Sequence, residues 1–279
     1  MVRIGGFIVG VGFVFALLLG IWDTVSNWIK EPPKATVEEE FHAHAHGPEG
    51  GFSFEGAFGT YDKRQLQRGM QVYKEVCAAC HSLRLVSFRD LTALGYSEGQ
   101  IKTIAKGFQV PSLNPETGEP ATRDGMPADR FPSPYANNIA AAAANNNAIP
   151  PDLSLMAKAR ADGSNYIYSL LTGYQAQPAE LLKKFPEAKT PEGLHYNPYF
   201  HTLNLAMAAP LKDGQVTYSD GTAATTKNYA ADVAAFLTWT AEPKMEARKT
   251  AGFATLIFLV IFCFLAYGAK KQIWRNVKD

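Results

Sequence analysis

The sequence predicts a mainly α-helical domain with long loops, accompanied by two apolar helices, and three observations lead there. Apolar side chains recur at near-helical spacing in several stretches, strand-like alternation is scarce, and a run of 19 uncharged residues stands near each end, Ile4 to Trp22 and Thr250 to Gly268. At 279 residues and 47% apolar content the chain is not a disordered one, and it can bury a core.

Taken in order, residues 1–30 form the first apolar segment. Its charged start, Met1-Val2-Arg3, is that of a secretory signal. The run is nevertheless longer than a signal core and exits through Trp22, Asp23, Trp28 and Lys30 without an Ala-x-Ala cleavage site, so a retained anchor is expected. Residues 31–51 read as a linker, with Pro32, Pro33, a glutamate run, and then His42, His44 and His46 in alternation. Alternation would put three imidazoles on one face of a strand, where they could ligate a transition metal. No strand formers surround them, and a solvated tether is the reading adopted.

The main domain is expected over 52–245. Leu66, Met70, Val72, Tyr73 and Val76 predict a helix across 60–76, and residues 84–110 predict one or two short helices. Pro111 to Pro151 is rich in Pro, Gly, Asn and Ala and reads as largely loop. A helix over 165–173 is ended by Gly173, an irregular stretch runs to Pro210, and a last amphipathic helix covers 229–241 before Pro243. Long loops in a compact domain commonly wrap a ligand or partner. Residues 246–279 carry the second apolar run and a basic tail of Lys270, Lys271, Arg275 and Lys278, which the positive-inside rule places in the cytoplasm with the main domain on the other side.

The formal charge of +1 conceals an asymmetry: residues 31–245 hold 19 Lys+Arg against 23 Asp+Glu, and the basic excess lies at the ends. Without a basic stripe, nucleic acid is excluded as a partner, and a mildly acidic domain suits a cationic protein. Of three cysteines, Cys263 lies in the second apolar run as a small apolar residue, so no disulfide framework is available.

The other two belong to Cys77-Ala78-Ala79-Cys80-His81, the C-x-x-C-H pattern of c-type haem attachment. Two thiols three positions apart add across the two haem vinyl groups, and the following imidazole faces the iron as an axial ligand. A redox C-x-x-C pair would want a preceding strand and has no use for His81, and a zinc site lacks a second ligand pair. Covalent attachment takes place outside the cytoplasm or its topological equivalent, in agreement with the charge pattern. A low-spin carrier needs a second axial ligand, and Met70, Met126, Met156, Met207, Met245, His195 and His201 are the candidates. Met70 is too near the motif, Met245 belongs to the membrane-proximal segment and Met156 suits a core role. Met126 stays open in its Gly-Met-Pro loop, and the small neighbours of Met207 favour it modestly.

Over most of its length, from about Phe52 to the C-terminus, the chain resembles the cytochrome c1 family. The resemblance is carried by Phe54-Glu55-Gly56, the motif with Ser82, the run Ala144-Asn145-Asn146-Asn147-Ala148-Ile149-Pro150-Pro151-Asp152-Leu153-Ser154, and Lys158-Ala159-Arg160. Tyr166, Leu170-Leu171-Thr172-Gly173-Tyr174, Tyr196-Asn197-Pro198-Tyr199-Phe200, Met207, Pro210, Asp232 to Trp239 and Ala241-Glu242-Pro243 continue it. It implies one covalent haem c ligated by His81 and Met207. Asn145, Ala148, Pro150, Pro151, Arg160, Tyr166, Leu170, Leu171, Phe200 and Pro210 would line the pocket, with Arg160 on a propionate. The family is the haem subunit of the bc1 complex, a quinol:cytochrome c oxidoreductase whose quinol chemistry belongs to another chain. The implied partners are therefore cytochrome b, the Rieske iron–sulfur protein, a soluble or tethered cytochrome c, and the membrane. The implied location is a bacterial inner membrane with the haem domain in the periplasm. The family commonly begins with a cleaved signal, and some bacterial relatives carry a further cysteine pair in the loops, which this chain lacks. Three other readings are a membrane-tethered electron shuttle outside any complex, a haem enzyme such as a peroxidase, and a non-haem metal protein using His42, His44 and His46.

Overall fold

The computed structural model describes residues 2–32 and 34–276. Met1 of the charged start, Pro33 of the linker and Lys278 of the basic tail lie outside the described residues. Two compact units divide between Phe41 and His42. The first holds α1 (Val2–Lys30) and α2 (Val37–Phe41).

The second unit is mainly helical, as predicted: α3 (Lys63–Glu75), α4 (Glu98–Lys106), α5 (Asn138–Ala144), α6 (Met156–Ala159), α7 (Gly163–Thr172), α8 (Ala179–Lys184), α9 (Thr226–Ala241) and α10 (Met245–Ile273). Two small antiparallel pairs complete it: β1 (Gln109–Leu113) with β2 (Pro120–Asp124), and β3 (His195–Tyr196) with β4 (Asn204–Leu205). Both α1 and α10 are long and apolar enough to cross a membrane, and the apolar window of neither is covered by protein.

Local chemistry explains the helix ends. Asp62 caps α3 by accepting from the Arg64 and Gln65 amides, Ser97 and Gln100 form a capping box at α4, and Thr225 accepts from the Asn228 amide at α9. The α3 stripe Leu66, Gly69, Met70 and Tyr73 is buried against α9. The closest approach is at Gly69, where an added Cβ would overlap the Asp232 carbonyl, so only glycine lets the two helices meet this closely. Beside it Arg68 Nε lies 2.8 Å from Asp232 Oδ2, Nη2 lies 3.1 Å from Oδ1, and Nη1 reaches Asp220 at 2.9 Å.

The amphipathic helix expected at 229–241 is instead buried on every face from Tyr229 to Leu237. α3 packs on one side of it and α6 and α7 on others, and its run of alanines makes room for all three. The segment read as loop from Pro111 also holds more structure than composition suggested. The β1–β2 hairpin turns at Gly118 (φ 72°), and Asn137 caps the alanine helix α5. Its prolines are tolerated because each strand of an isolated pair is an edge strand.

Candidate functional site

The Cys77-x-x-Cys80 segment winds from the end of α3 into a 3₁₀ turn, Cys77–Ala79. The amides of Cys80 and His81 both bond to the Cys77 carbonyl, at 3.1 and 2.9 Å, which puts the two thiols one turn apart with the imidazole directly after. From α3 the buried Tyr73 donates its hydroxyl to the His81 carbonyl at 3.0 Å, so the motif is tied to the core on its inner side.

On the outer side, residues 150–154 are zipped to residues 81–85. Asp152 accepts from Ser82 Oγ (2.7 Å), the Arg84 amide (2.9 Å) and the Ser154 amide (3.0 Å). The fully buried Ser154 accepts from the Leu85 amide, and the Leu153 amide bonds to the Ser82 carbonyl at 2.9 Å. This zip delivers the Pro151 carbonyl to His81 Nδ1 at 2.8 Å. A carbonyl can only accept, so Nδ1 carries the proton and the Nε2 lone pair is free. Burial pushes the His81 ring below the usual imidazole value, against the Pro151 bond and the Asp152 charge. Burial also opposes ionisation of Asp152, but its several donors outweigh that and hold the carboxyl below its ordinary value.

Burial, with Cys80 next to it, pushes the Cys77 thiol up to about 12. A redox C-x-x-C needs a thiol displaced the other way, towards thiolate. Two thiols one turn apart beside an imidazole with an open Nε2 are the donor set that covalent haem attachment uses, and the chain fits that group.

The other predicted residues fall into two groups. The first continues from the motif. Cys80, Pro150 and Pro151 line a cleft of ≈ 360 Å³ together with Ile149, Asn137 and Asp152. Asn145 donates its Nδ2 to Ala141 O at 2.7 Å at the end of α5, and its carbonyl receives the Ala148 amide at 2.9 Å. The triple asparagine has a conformational reason: Asn146 and Asn147 take left-handed φ of 51° and 61°, which asparagine tolerates best after glycine.

The second group is α7 and the chain from 195 to 210. Tyr166 and Leu171 are half-buried against the core that also packs Cys77, Ala78 and Met156. Asn197 donates to the Leu170 carbonyl at 2.8 Å. The β3–β4 pair closes the 197–203 turn, in which buried Leu203 is held at φ 60° with its carbonyl accepting from Asn197 N at 2.8 Å. Gly173, expected as a helix stop, has an ordinary φ of −92°, and glycine is needed there because a Cβ would strike the Tyr199 ring. Tyr174 donates its hydroxyl to the Met207 carbonyl at 3.0 Å. Pro210 is half-buried, and half-buried Phe200 stacks its ring with that of His201. Arg160 is exposed and donates to the Ala159 carbonyl at 3.0 Å.

Among the other candidate ligands, Met70 and Met245 are consumed by the core, Met156 packs half-buried against it, and Met126, His195 and His201 are exposed. Met207 is half-buried, neither core nor surface. Composition gave no warning of Tyr174, Asp152, Ser154 or Asn197 as positioning residues, because each acts through a partner distant in the chain.

The histidine alternation is expressed, but not as a loose tether. His42, His44 and His46 are exposed while Ala43 and Ala45 are half-buried, and the strap is bonded down. The His46 amide donates to Ser169 Oγ (2.7 Å), which donates back to the His46 carbonyl (2.8 Å), and the Ala43 amide bonds to Pro198 O (2.8 Å). The described residues contain no group of three or more His, Cys, Asp or Glu arranged to hold a metal.

Comparison with known proteins gives a match to the Cytochrome C1 family over residues 52–277. Cytochrome c1 of Rhodospirillum rubrum is 48% identical over 236 residues, covering 81% of this chain and 87% of that protein. The mitochondrial cytochrome c1 heme protein of Saccharomyces cerevisiae is 43% identical, covering 84% of this chain and 74% of that one. A protein named cytochrome b/c1 from Bradyrhizobium diazoefficiens is 46% identical over 81% of this chain, which spans 35% of that longer protein.

Proposed function

The chain belongs to the cytochrome c1 family, the haem-carrying electron-transfer subunits of the bc1 complex, and from that premise we propose that it holds one covalent haem c and relays single electrons from the Rieske iron–sulfur protein to a cytochrome c. Haem supplies a one-electron ferric/ferrous couple. Cys77 and Cys80 would carry the thioether links, and His81 Nε2 and the Met207 thioether would hold the iron. Asn145, Ala148, Pro150, Pro151, Arg160, Tyr166, Leu170, Leu171, Phe200 and Pro210 form the surrounding walls, with Arg160 pairing a propionate. The observation that supports this reading most directly is the 2.8 Å bond from His81 Nδ1 to the Pro151 carbonyl, which leaves Nε2 the unprotonated nitrogen. A thioether is a poorer donor to ferric iron than a second imidazole, so this ligand pair raises the potential. No general base or nucleophile is called for.

In this reading cytochrome b is the membrane partner, as the fused name of the Bradyrhizobium protein supports. The haem domain lies in the periplasm and the tail after α10 in the cytoplasm. Gentle detergent purification followed by haem staining of a denaturing gel is the test. A stained band at this chain's mass, lost in Cys77→Ser/Cys80→Ser, with a multihaem b-type protein in the same fraction, is expected. A methionine-to-iron charge-transfer band lost in Met207→Leu would establish the sixth ligand, and its persistence would overturn that assignment. Purification as a lone stained chain would instead favour a free membrane-tethered shuttle.

A further inference from the structure

The loop before α3 is bolted to the first turns of α10. Lys249 Nζ donates to the carbonyls of Phe54 (2.7 Å) and Gly59 (2.9 Å). The Tyr61 amide donates to Glu246 Oε1 at 2.7 Å, and the Tyr61 hydroxyl donates to the Glu242 carbonyl at 3.1 Å. Within the loop, Glu55 N bonds to Phe52 O and Thr60 N to Ser53 O, and Gly59 lies so close to the Phe54–Glu55 backbone that a Cβ would overlap it. Its height relative to α10 is therefore set by a rigid, multiply bonded joint.

The aromatic residues of this loop divide sharply. Phe52 and Phe54 are core residues, whereas Phe58 is 81% exposed at the tip, with only small residues, Ala57 and Gly59, beside it in the chain. The Phe58 ring meets Phe253 edge to face, centroids 5.9 Å apart. Phe253 belongs to the uncharged run Thr250 to Gly268, whose large side chains are exposed on all faces. At 1.5 Å of rise per residue, Phe253 lies about 5 Å along the helix beyond Thr250, on the bilayer side of Lys249. Phe58 therefore touches the uncharged run of α10.

We propose that residues 52–61 form a membrane-seated foot, with Phe58 placed among lipid chains at the outer rim of the bilayer against Phe253. Aromatic rings favour that depth, and the Lys249 ammonium, which would otherwise have to reach for water there, is satisfied by two backbone carbonyls. The occupant is lipid because the foot is continuous with the apolar surface of α10. The foot gives the domain a second contact with the membrane besides the helix itself, fixing its tilt. This goes beyond the electron-transfer reading and rests on α10 spanning the bilayer.

Spin labels on the purified full-length protein in phosphatidylcholine vesicles test it, in a Cys263→Ser background with Phe58→Cys, Phe253→Cys or Lys63→Cys. Collision with molecular oxygen should exceed collision with a water-soluble nickel chelate at 58 and 253, and the order should reverse at 63. A nickel-dominated label at 58, or one shielded from both reagents and hence covered by protein, overturns the proposal. An aqueous label at 253 removes its premise and overturns it too. Labelling of the Cys263→Ser parent would report free Cys77 or Cys80 and count against covalent haem, not against the foot. A thiol-free measurement then decides: added fluorescence of Phe58→Trp over the parent should be quenched several-fold more by lipids brominated near the headgroup end of the chain than by tail-end bromines, and no quenching overturns the proposal.

Discussion

His81 is set for its task by hydrogen bonds from the core and from the loop: Tyr73 donates to its carbonyl, and the Pro151 carbonyl accepts from its Nδ1. The loop side depends on Asp152, whose two oxygens gather Ser82, Arg84 and Ser154. Alanine at 152 removes the acceptors and leaves their donors unsatisfied, at a cost of about 1–3 kcal/mol. Denaturant unfolding of Asp152→Ala should show that loss, and an unchanged midpoint would mean that the zip does not hold the motif. At the residue scale the sequence displays local spacing and conceals geometry. Cys77, Cys80 and His81 were legible because their spacing is local. Asp152 was visible only as one letter in a motif, since its partners lie 68 and 70 residues away.

At the scale of elements, the crossing of α3 and α9 carries the domain. Arg68 and Asp232 form a two-pronged pair with the carboxylate side chain only 3% exposed, next to the glycine contact at position 69. Arg68→Ala strands a buried carboxylate and should cost about 3–5 kcal/mol, while replacing both partners with apolar residues of similar volume should recover most of it. Gly69→Ala forces the helices apart and should cost at least about 1–3 kcal/mol. Thermal melts of the three variants check this, and a mild Arg68→Ala would mean that water reaches Asp232. The helices themselves were legible from periodicity, at α3, α7 and α9. The all-round burial of α9 was not, because alanines carry too little signal to show which faces a helix will cover. The β1–β2 hairpin was hidden by its prolines, whose exclusion from strands applies to sheet interiors rather than edges.

For the whole molecule, charge sets an acid limit. A bond from Arg123 holds Asp129 at about 2, and the Thr222 amide and hydroxyl, with Arg68, hold Asp220 at about 2. A folded value below the unfolded one means that both groups stabilise the fold above about pH 4 and lose that contribution as pH falls towards about 2. The melting temperature should therefore drop across that window with net proton uptake on unfolding, and a flat profile would show that neither carboxylate is linked to the fold. What the sequence by itself determined is everything encoded in neighbouring residues: the thiol–imidazole motif, the two apolar runs, the helical class. The tertiary structure alone decided which carbonyl orients His81 from 70 residues away, which hydroxyl holds Met207, and that Lys249 grips a loop 190 and more residues earlier. Spacing along a chain is preserved in any fold. Pairing between distant residues exists only once the global packing has brought them together.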